Sequence, residues 1–266
     1  MQTKIEGLIL SKMAYRERDL LLKILLRNGK QISVVIFGGQ GGGKKKKPSQ
    51  LEVGYMLKLE LSPSRSTDLY RVKEWSHLWT HQKIRYNFRA YYLLCFYLDF
   101  IGKVAMKDEL YSPHSPFDED FEGVFRILSN AIFYLEEDVT EVGENLETSK
   151  HLFLFLSKLL VVQGVFPQRE NCILCEASFY RGEEVLFIHE QGGFACEECS
   201  RQSSWGRRDV EGWKLYQLLG ESVSLPYKEY QKLTVDHRQY CQNILDYSLY
   251  QFQLPHHSFK STFQHL

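Results

Sequence analysis

Two Cys-x-x-Cys pairs, Cys172-Ile-Leu-Cys175 and Cys196-Glu-Glu-Cys199, stand 20 residues apart. A turn of this kind aims two thiolates at one point ~2.3 Å away, and two such turns complete a tetrahedron around zinc. The chain between them must therefore double back. Leu186-Phe187-Ile188 and Gly192-Gly193-Phe194 predict a short hairpin there that carries the second pair. Four thiolates leave no open position for water, so the expected site is structural: one Zn2+ held by Cys172, Cys175, Cys196 and Cys199. The competing reading is a redox dithiol pair, but no thioredoxin-like βαβ pattern surrounds either turn. With four cysteines present, His189 is an unnecessary substitute ligand. Cys95 and Cys241 lie in apolar helical patterns and read as core. The start of the chain lacks the apolar block of a signal peptide, and no run of ~18 apolar residues suggests a membrane span. The expectation is a cytoplasmic protein without membrane contact. In a reducing compartment its six cysteines favour metal or free thiols over disulfides.

The first 80 residues read as β-structure. Lys4 to Leu10, Leu20 to Leu26, Lys30 to Phe37, Tyr55 to Leu61 and Leu69 to Trp75 are five short strands. The Asn28-Gly29 pair between the second and third predicts a hairpin with a type I′ turn, in which both residues take positive φ. Five short strands with one long loop suit a small closed barrel such as an OB-fold. From residue 81 onward the spacing of apolar residues becomes helical. Helices are expected over Phe88 to Ile101, Pro116 to Asp138, His151 to Val162, Gly212 to Leu219 and Tyr227 to Phe252. The third is almost wholly apolar and should be central in its core. The expected class is α+β. An N-terminal five-stranded OB-fold barrel (1–80) is followed by an α-helical domain (81–266) with the zinc module inserted at about 168–204.

The formal net charge is zero, but it is unevenly distributed. Residues 1–80 carry 15 Lys and Arg against 7 Asp and Glu, whereas residues 81–150 carry 7 against 13. A basic first domain beside an acidic segment points to a polyanion as the partner of the first domain alone. The loop Gly38 to Ser49 concentrates the charge, with Lys44, Lys45, Lys46 and Lys47 in succession. It nearly matches a phosphate-binding P-loop but fails where the chemistry matters. Position 45 is lysine, so there is no hydroxyl for magnesium, and Pro48 obstructs the helix that would follow. The better reading is electrostatic: adjacent ammonium groups release counterions from nucleic-acid phosphate without reading sequence. Tyr15, Phe37, Tyr55 and Tyr70, in or beside the strands, are candidates for stacking on bases.

The chain also resembles the RecO family of bacterial recombination mediators. The resemblance rests on Ile5-Glu6-Gly7-Leu8-Ile9-Leu10, on Tyr15-Arg16-Glu17-Arg18-Asp19-Leu20, and on Asn28-Gly29-Lys30. It continues through the basic loop after Phe37-Gly38, an apolar helix ending at Gly164, and the two cysteine pairs. It implies a non-enzymatic DNA-binding mediator that binds single- and double-stranded DNA and anneals complementary strands. It further implies action with RecR to load RecA onto DNA coated by single-stranded DNA-binding protein. The loop departs from the family's pattern of spaced arginines, being polyglycine followed by tetralysine. Arg16, Arg18, Arg65, Arg71 and Lys73 join the four lysines as expected DNA contacts. Lys150 and Lys158, at the ends of the apolar helix, are expected rim residues of a groove for the acidic tail of single-stranded DNA-binding protein.

Two other readings compete. Lysines do not distinguish sugars, so an RNA-binding OB-fold with a zinc module has the same signature. Asp118-Glu119-Asp120 has the composition of a nuclease cluster. Consecutive residues on a helix cannot converge on one ion, however, and acids in a first turn complement the helix dipole.

Overall fold

A computed structural model describes residues 3–39, 51–62, 69–107, 122–180, 182–202 and 211–259. The chain divides into two compact units, Met1–Leu146 and Glu147–Leu266.

The first unit contains a closed five-stranded barrel in the order β1-β2-β3-β5-β4. The strands are β1 (Thr3–Tyr15), β2 (Asp19–Leu26), β3 (Gln31–Ile36), β4 (Met56–Ser62) and β5 (Tyr70–Trp79). All pairings are antiparallel except β3 with β5, where Val34 meets Tyr70 and Val35 meets Arg71. This is an OB-fold barrel, as the strand pattern predicted. Inward positions recur at every second residue: Leu20, Leu22, Ile24 and Leu26 on β2, and Leu57, Leu59 and Leu61 on β4. Such spacing is what a strand with one buried face requires.

Two strands run further than the sequence pattern indicated. β1 continues to Tyr15 because a register shift between Ile9 and Ser11 bends it. Its first half pairs with β4 and its second with β2. At Gly7 the two neighbours crowd the strand, and a Cβ there would lie 2.5 Å from the Leu25 carbonyl oxygen. β5 continues to Trp79 because Trp75, His77, Trp79 and His81 keep the two-residue spacing.

The Asn28-Gly29 hairpin forms, but its turn is not type I′. Gly29 alone is left-handed, at φ 79°, and Asn28 is not. The Gly29 N–H donates to Leu26 O at 3.0 Å, and the Leu26 N–H to Lys30 O at 2.8 Å. That is a three-residue loop, a type I turn closed by a glycine bulge. Asn28 Oδ1 accepts from the Lys30 N–H at 3.1 Å, so its side chain works in the turn in place of a left-handed backbone.

Helix α1 (Phe88–Val104) is capped by Asn87, whose side chain accepts from the Ala90 N–H at 3.0 Å. Its C-terminal end is tied to the barrel through Gln31. The Gln31 amide donates to Ala105 O at 2.6 Å, and its backbone N–H to Met106 O at 2.7 Å. Helix α2 (Glu122–Val142) buries Val124, Leu128, Ala131 and Leu135 along one stripe. The expected start at Pro116, and Asp118 to Asp120, lie outside the described residues.

In the second unit, α3 (Thr148–Val162) is central, with Leu152 to Leu156 fully buried, as its apolar run predicted. It packs on α7 (Arg238–Gln251) and α5 (Gly212–Ser224). The expected single helix Tyr227 to Phe252 is instead two, α6 (Tyr227–Tyr230) and α7. The break is held by His237, whose Nδ1 lies 2.7 Å from Val235 O and whose Nε2 lies 2.9 Å from the Tyr230 hydroxyl. Asp236 Oδ1 takes the Arg238 N–H at 2.9 Å, fixing the new start. No described helix is long and apolar enough to cross a membrane.

Candidate nucleic-acid interface and metal centre

The two cysteine pairs converge. The sulfurs of Cys172, Cys175, Cys196 and Cys199 all lie within 4.8 Å of one another. The first pair sits in a tight turn closed by the Glu176 N–H on Cys172 O at 2.8 Å, with Glu176 left-handed at φ 60°. The second follows the predicted hairpin, β6 (Leu186–Ile188) with β7 (Gly193–Ala195), and continues into α4 (Glu197–Gln202). The Ile173 N–H donates to Phe194 O at 3.0 Å and holds the first turn against the hairpin. A buried group of Leu186, Ile188 and Ala195 backs the sulfurs.

The donor set fits a tetrahedral metal. Zinc–sulfur bonds of 2.3 Å place neighbouring sulfurs about 3.8 Å apart. Cys175 Sγ lies 3.8 Å from Cys196 Sγ. The Cys172 sulfur accepts the N–H groups of Cys196 at 3.3 Å and Leu174 at 3.4 Å. Burial pushes this thiol's pKa up, but those backbone N–H groups, with that of Cys175, outweigh it and bring the value down to about 7. Burial raises the pKa of Cys196, and the neighbouring Cys175 sulfur raises that of Cys199, so in the metal-free cluster Cys172 is the first thiolate. A thiolate is the form that binds a metal. These four cysteines could hold a metal ion. His189 is not among them; its ring stands edge-on to Phe187 at 4.7 Å. Cys241 is buried and donates to Ser149 O at 3.1 Å, in keeping with a core role.

The barrel gathers exposed cations at one rim from segments distant in sequence. Arg16, Glu17 and Arg18 form the exposed turn between β1 and β2, with Arg16 left-handed at φ 56°. The Arg16 guanidinium carbon lies 5.2 Å from the centre of the Tyr15 ring. Asp19, which closes that turn, accepts the Gly38 N–H at 2.9 Å. Phe37, one residue earlier, is 47% exposed, and the Arg71 guanidinium carbon lies 4.4 Å from its ring centre. Lys73 is exposed two residues along β5 from Arg71. One continuous set of contacts thus runs from the β1–β2 turn through Phe37 to Arg71. Lys44 to Lys47 and Arg65 lie outside the described residues.

Of the four aromatic candidates, Tyr55 and Tyr70 are core residues, 7% and 1% exposed. Tyr15 and Phe37 remain at the surface. Lys150 and Lys158 are both engaged: Lys150 Nζ donates to Gln231 O at 2.9 Å and pairs with Glu147, and Lys158 Nζ lies 3.4 Å from Leu225 O. Burial lowers the Lys158 pKa.

Two features were not read from the sequence. Asp19 is one; an aspartate after a turn is too common to signal a contact 19 residues away. The other is the ring cluster of Tyr55, His77, Trp79 and His81, with Tyr55 5.5 Å from each histidine. Its signal was present in the alternation from Trp75 to His81.

Residues 1–79 match the family described as "Recombination protein O N terminal". A curated relative, "DNA repair protein RecO" of Syntrophus aciditrophicus (strain SB), is 22% identical over 197 residues. That alignment covers 74% of this chain and 69% of the relative. An aspartyl tRNA synthetase structure from Entamoeba histolytica aligns at TM-score 0.22 and 7% identity. It involves 68% of this chain, which spans only 38% of that one, a likeness too slight to assign a fold or function. The family match covers the barrel, and the curated relative extends the likeness well beyond it, so the chain is similar to RecO proteins over most of its length.

Proposed function

We propose that this protein is a DNA-binding mediator of recombination and repair whose barrel, residues 1–80, takes single-stranded DNA. The observation that carries the reading is the exposed cationic rim, where Arg16, Arg18, Arg71 and Lys73 stand on a barrel matched to the RecO N-terminal family. The tetralysine adds mobile-ion displacement at the end of the same loop that Phe37 and Gly38 begin. Cations on one rim screen repulsion between two phosphate backbones and let complementary strands meet, with base pairing as the driving force. Annealing, binding of duplex DNA, and cooperation with RecR, RecA and single-stranded DNA-binding protein belong to the same proposal. They rest on family likeness. The acidic tail of single-stranded DNA-binding protein would meet the helical part, where Lys150 and Lys158 are the candidate cations.

The four cysteines hold one structural Zn2+ in this reading. Zinc, when bound, supplies a fixed crosslink between the Cys172–Cys175 turn and the β6–β7 hairpin.

The test is a salt series of single-stranded DNA binding for the protein and for a variant with Lys44 to Lys47 replaced by alanine. Four lost phosphate contacts should weaken binding and reduce the slope of log K against log salt by about 3. An unchanged slope removes the loop from the mechanism. An RNA oligomer of the same sequence serves as the comparison arm, and stronger binding to it replaces the DNA assignment with an RNA one. A second assay follows annealing of strands coated with single-stranded DNA-binding protein. Failure to accelerate it overturns the mediator reading.

A further inference from the structure

We propose that Phe37 is a base-stacking platform and that Arg71 is its companion, so that the rim selects unpaired bases over duplex. The inference rests on the DNA-binding reading above and adds the part of the nucleotide that is recognised.

Phe37 follows directly on β3, whose inward residues Ile32, Val34 and Ile36 fill the barrel. Alternation sends Phe37 to the outside, where a phenyl ring has no core to join. It is nonetheless fixed in place. The Gly38 N–H behind it is held by Asp19 at 2.9 Å, and the Gly39 N–H donates back to Ile36 O at 3.3 Å. An exposed ring on a pinned backbone costs little further ordering when a flat ligand arrives.

Arg71 is placed by the parallel pairing of β3 and β5, in which it stands opposite Val35. From there its guanidinium lies 4.4 Å from the Phe37 ring centre. A guanidinium stacks on an aromatic face, and it also forks onto phosphate. An incoming base competes for the ring face, while the phosphate 5′ or 3′ to it receives the displaced cation. Duplex DNA keeps its base faces inside the helix and can offer only phosphate, so the ring contributes to single-strand binding alone. Stacking of a base on an aromatic side chain is sequence-tolerant. The rim therefore prefers unpaired strands without reading sequence.

Tyr15, the other of the four barrel candidates that stays at the surface, shows why Phe37 is the better platform. Its ring is only partly exposed, and its Arg16 cation lies further off, at 5.2 Å.

The experiment compares an oligothymidylate with an abasic oligomer of equal length, binding each to the full chain and to Phe37→Ala, Phe37→Trp and Arg71→Ala. The protein should bind oligothymidylate more tightly than the abasic strand. Phe37→Ala should lose about tenfold on oligothymidylate, lose nothing on the abasic strand, and keep its salt slope. Phe37→Trp should restore the loss, and its added indole emission should be quenched on binding. Arg71→Ala should weaken both ligands and flatten the salt slope. If Phe37→Ala and the unaltered chain show the same ratio between the two oligomers, the proposal is wrong. An unaltered chain that fails to discriminate them also overturns it. A chain that binds neither oligomer overturns the DNA-binding reading as well. Phe37→Trp guards the result against misfolding of the alanine variant, because it tests the ring with the fold intact.

Discussion

Asp19 accepts the backbone N–H of Gly38 at 2.9 Å and so ties the β1–β2 turn to the beginning of the glycine-lysine loop. The contact joins the two basic segments of the barrel at a single side chain. Asp19→Ala should remove it at a cost of about 1.5 kcal/mol, the lower end for a backbone N–H on a carboxylate. Single-strand affinity should fall even though a negative charge has been removed, because the Gly38 backbone beside Phe37 would then have to be held by the ligand. An increase in affinity would show that Asp19 acts only by repulsion. Urea unfolding and fluorescence anisotropy read the two effects separately.

The second unit should depend on a metal held by the four cysteines. Elemental analysis is expected to give one equivalent of zinc per chain, and chelation should lower the unfolding temperature of that unit. Cys172→Ser should do the same without chelator, since its sulfur accepts two backbone N–H groups in addition to any metal. Full thermal stability in metal-free protein would mean that the backing residues Leu186, Ile188 and Ala195 suffice to hold the turns.

Much of this was legible in the sequence because the signals were local. β-rich runs about the Asn28-Gly29 turn and the alternation of Tyr55 to Leu61 located the strands, and thiolate spacing located the convergence of Cys172, Cys175, Cys196 and Cys199. What escaped was decided by partners distant in the chain. β1 runs on to Tyr15 because the polar stretch after Ile9 pairs with β2, and nothing in Ser11 to Ala14 announces it. The Tyr227 to Phe252 pattern reads as one helix, yet His237 finds Val235 O and the Tyr230 hydroxyl and splits it. Tyr55 and Tyr70 looked equal to Phe37 as stacking candidates. Only barrel closure distinguishes them, by turning the first two inward.

Acid should destabilise both units through one buried histidine each. His81 is fully buried, and its pKa is lowered to about 4, by burial first and the Arg85 charge second. His237 is lowered to about 4 as well, chiefly by burial. Both fold as neutral rings, whereas the unfolded chain protonates near pH 6.5. Stability is therefore complete above about pH 6.5 and is lost as the pH falls toward 4. Each histidine contributes a slope of up to about 1.4 kcal/mol per pH unit. Denaturant unfolding at pH 7, 6 and 5 should show this. His237→Gln should flatten the dependence of the second unit and His81→Gln that of the first. Equal slopes before and after substitution would mean that the rings are protonated in the fold.

Arg16 offers a case in which stability and binding should move in opposite directions. Its backbone is left-handed, at φ 56°, where a non-glycine residue costs roughly 1 kcal/mol. Asparagine tolerates that conformation better, because its short side chain can bond locally. Arg16→Asn should leave the barrel as stable or raise its stability by about 0.5 kcal/mol. It should at the same time weaken single-strand binding and reduce the salt slope by about 0.7, the value for one lost phosphate contact. The strained turn would then be the cost of presenting a guanidinium at the rim, as strain at functional positions often is. If Arg16→Asn leaves both affinity and slope untouched, the arginine has no part in binding, and the cationic rim reduces to Arg18, Arg71, Lys73 and the tetralysine.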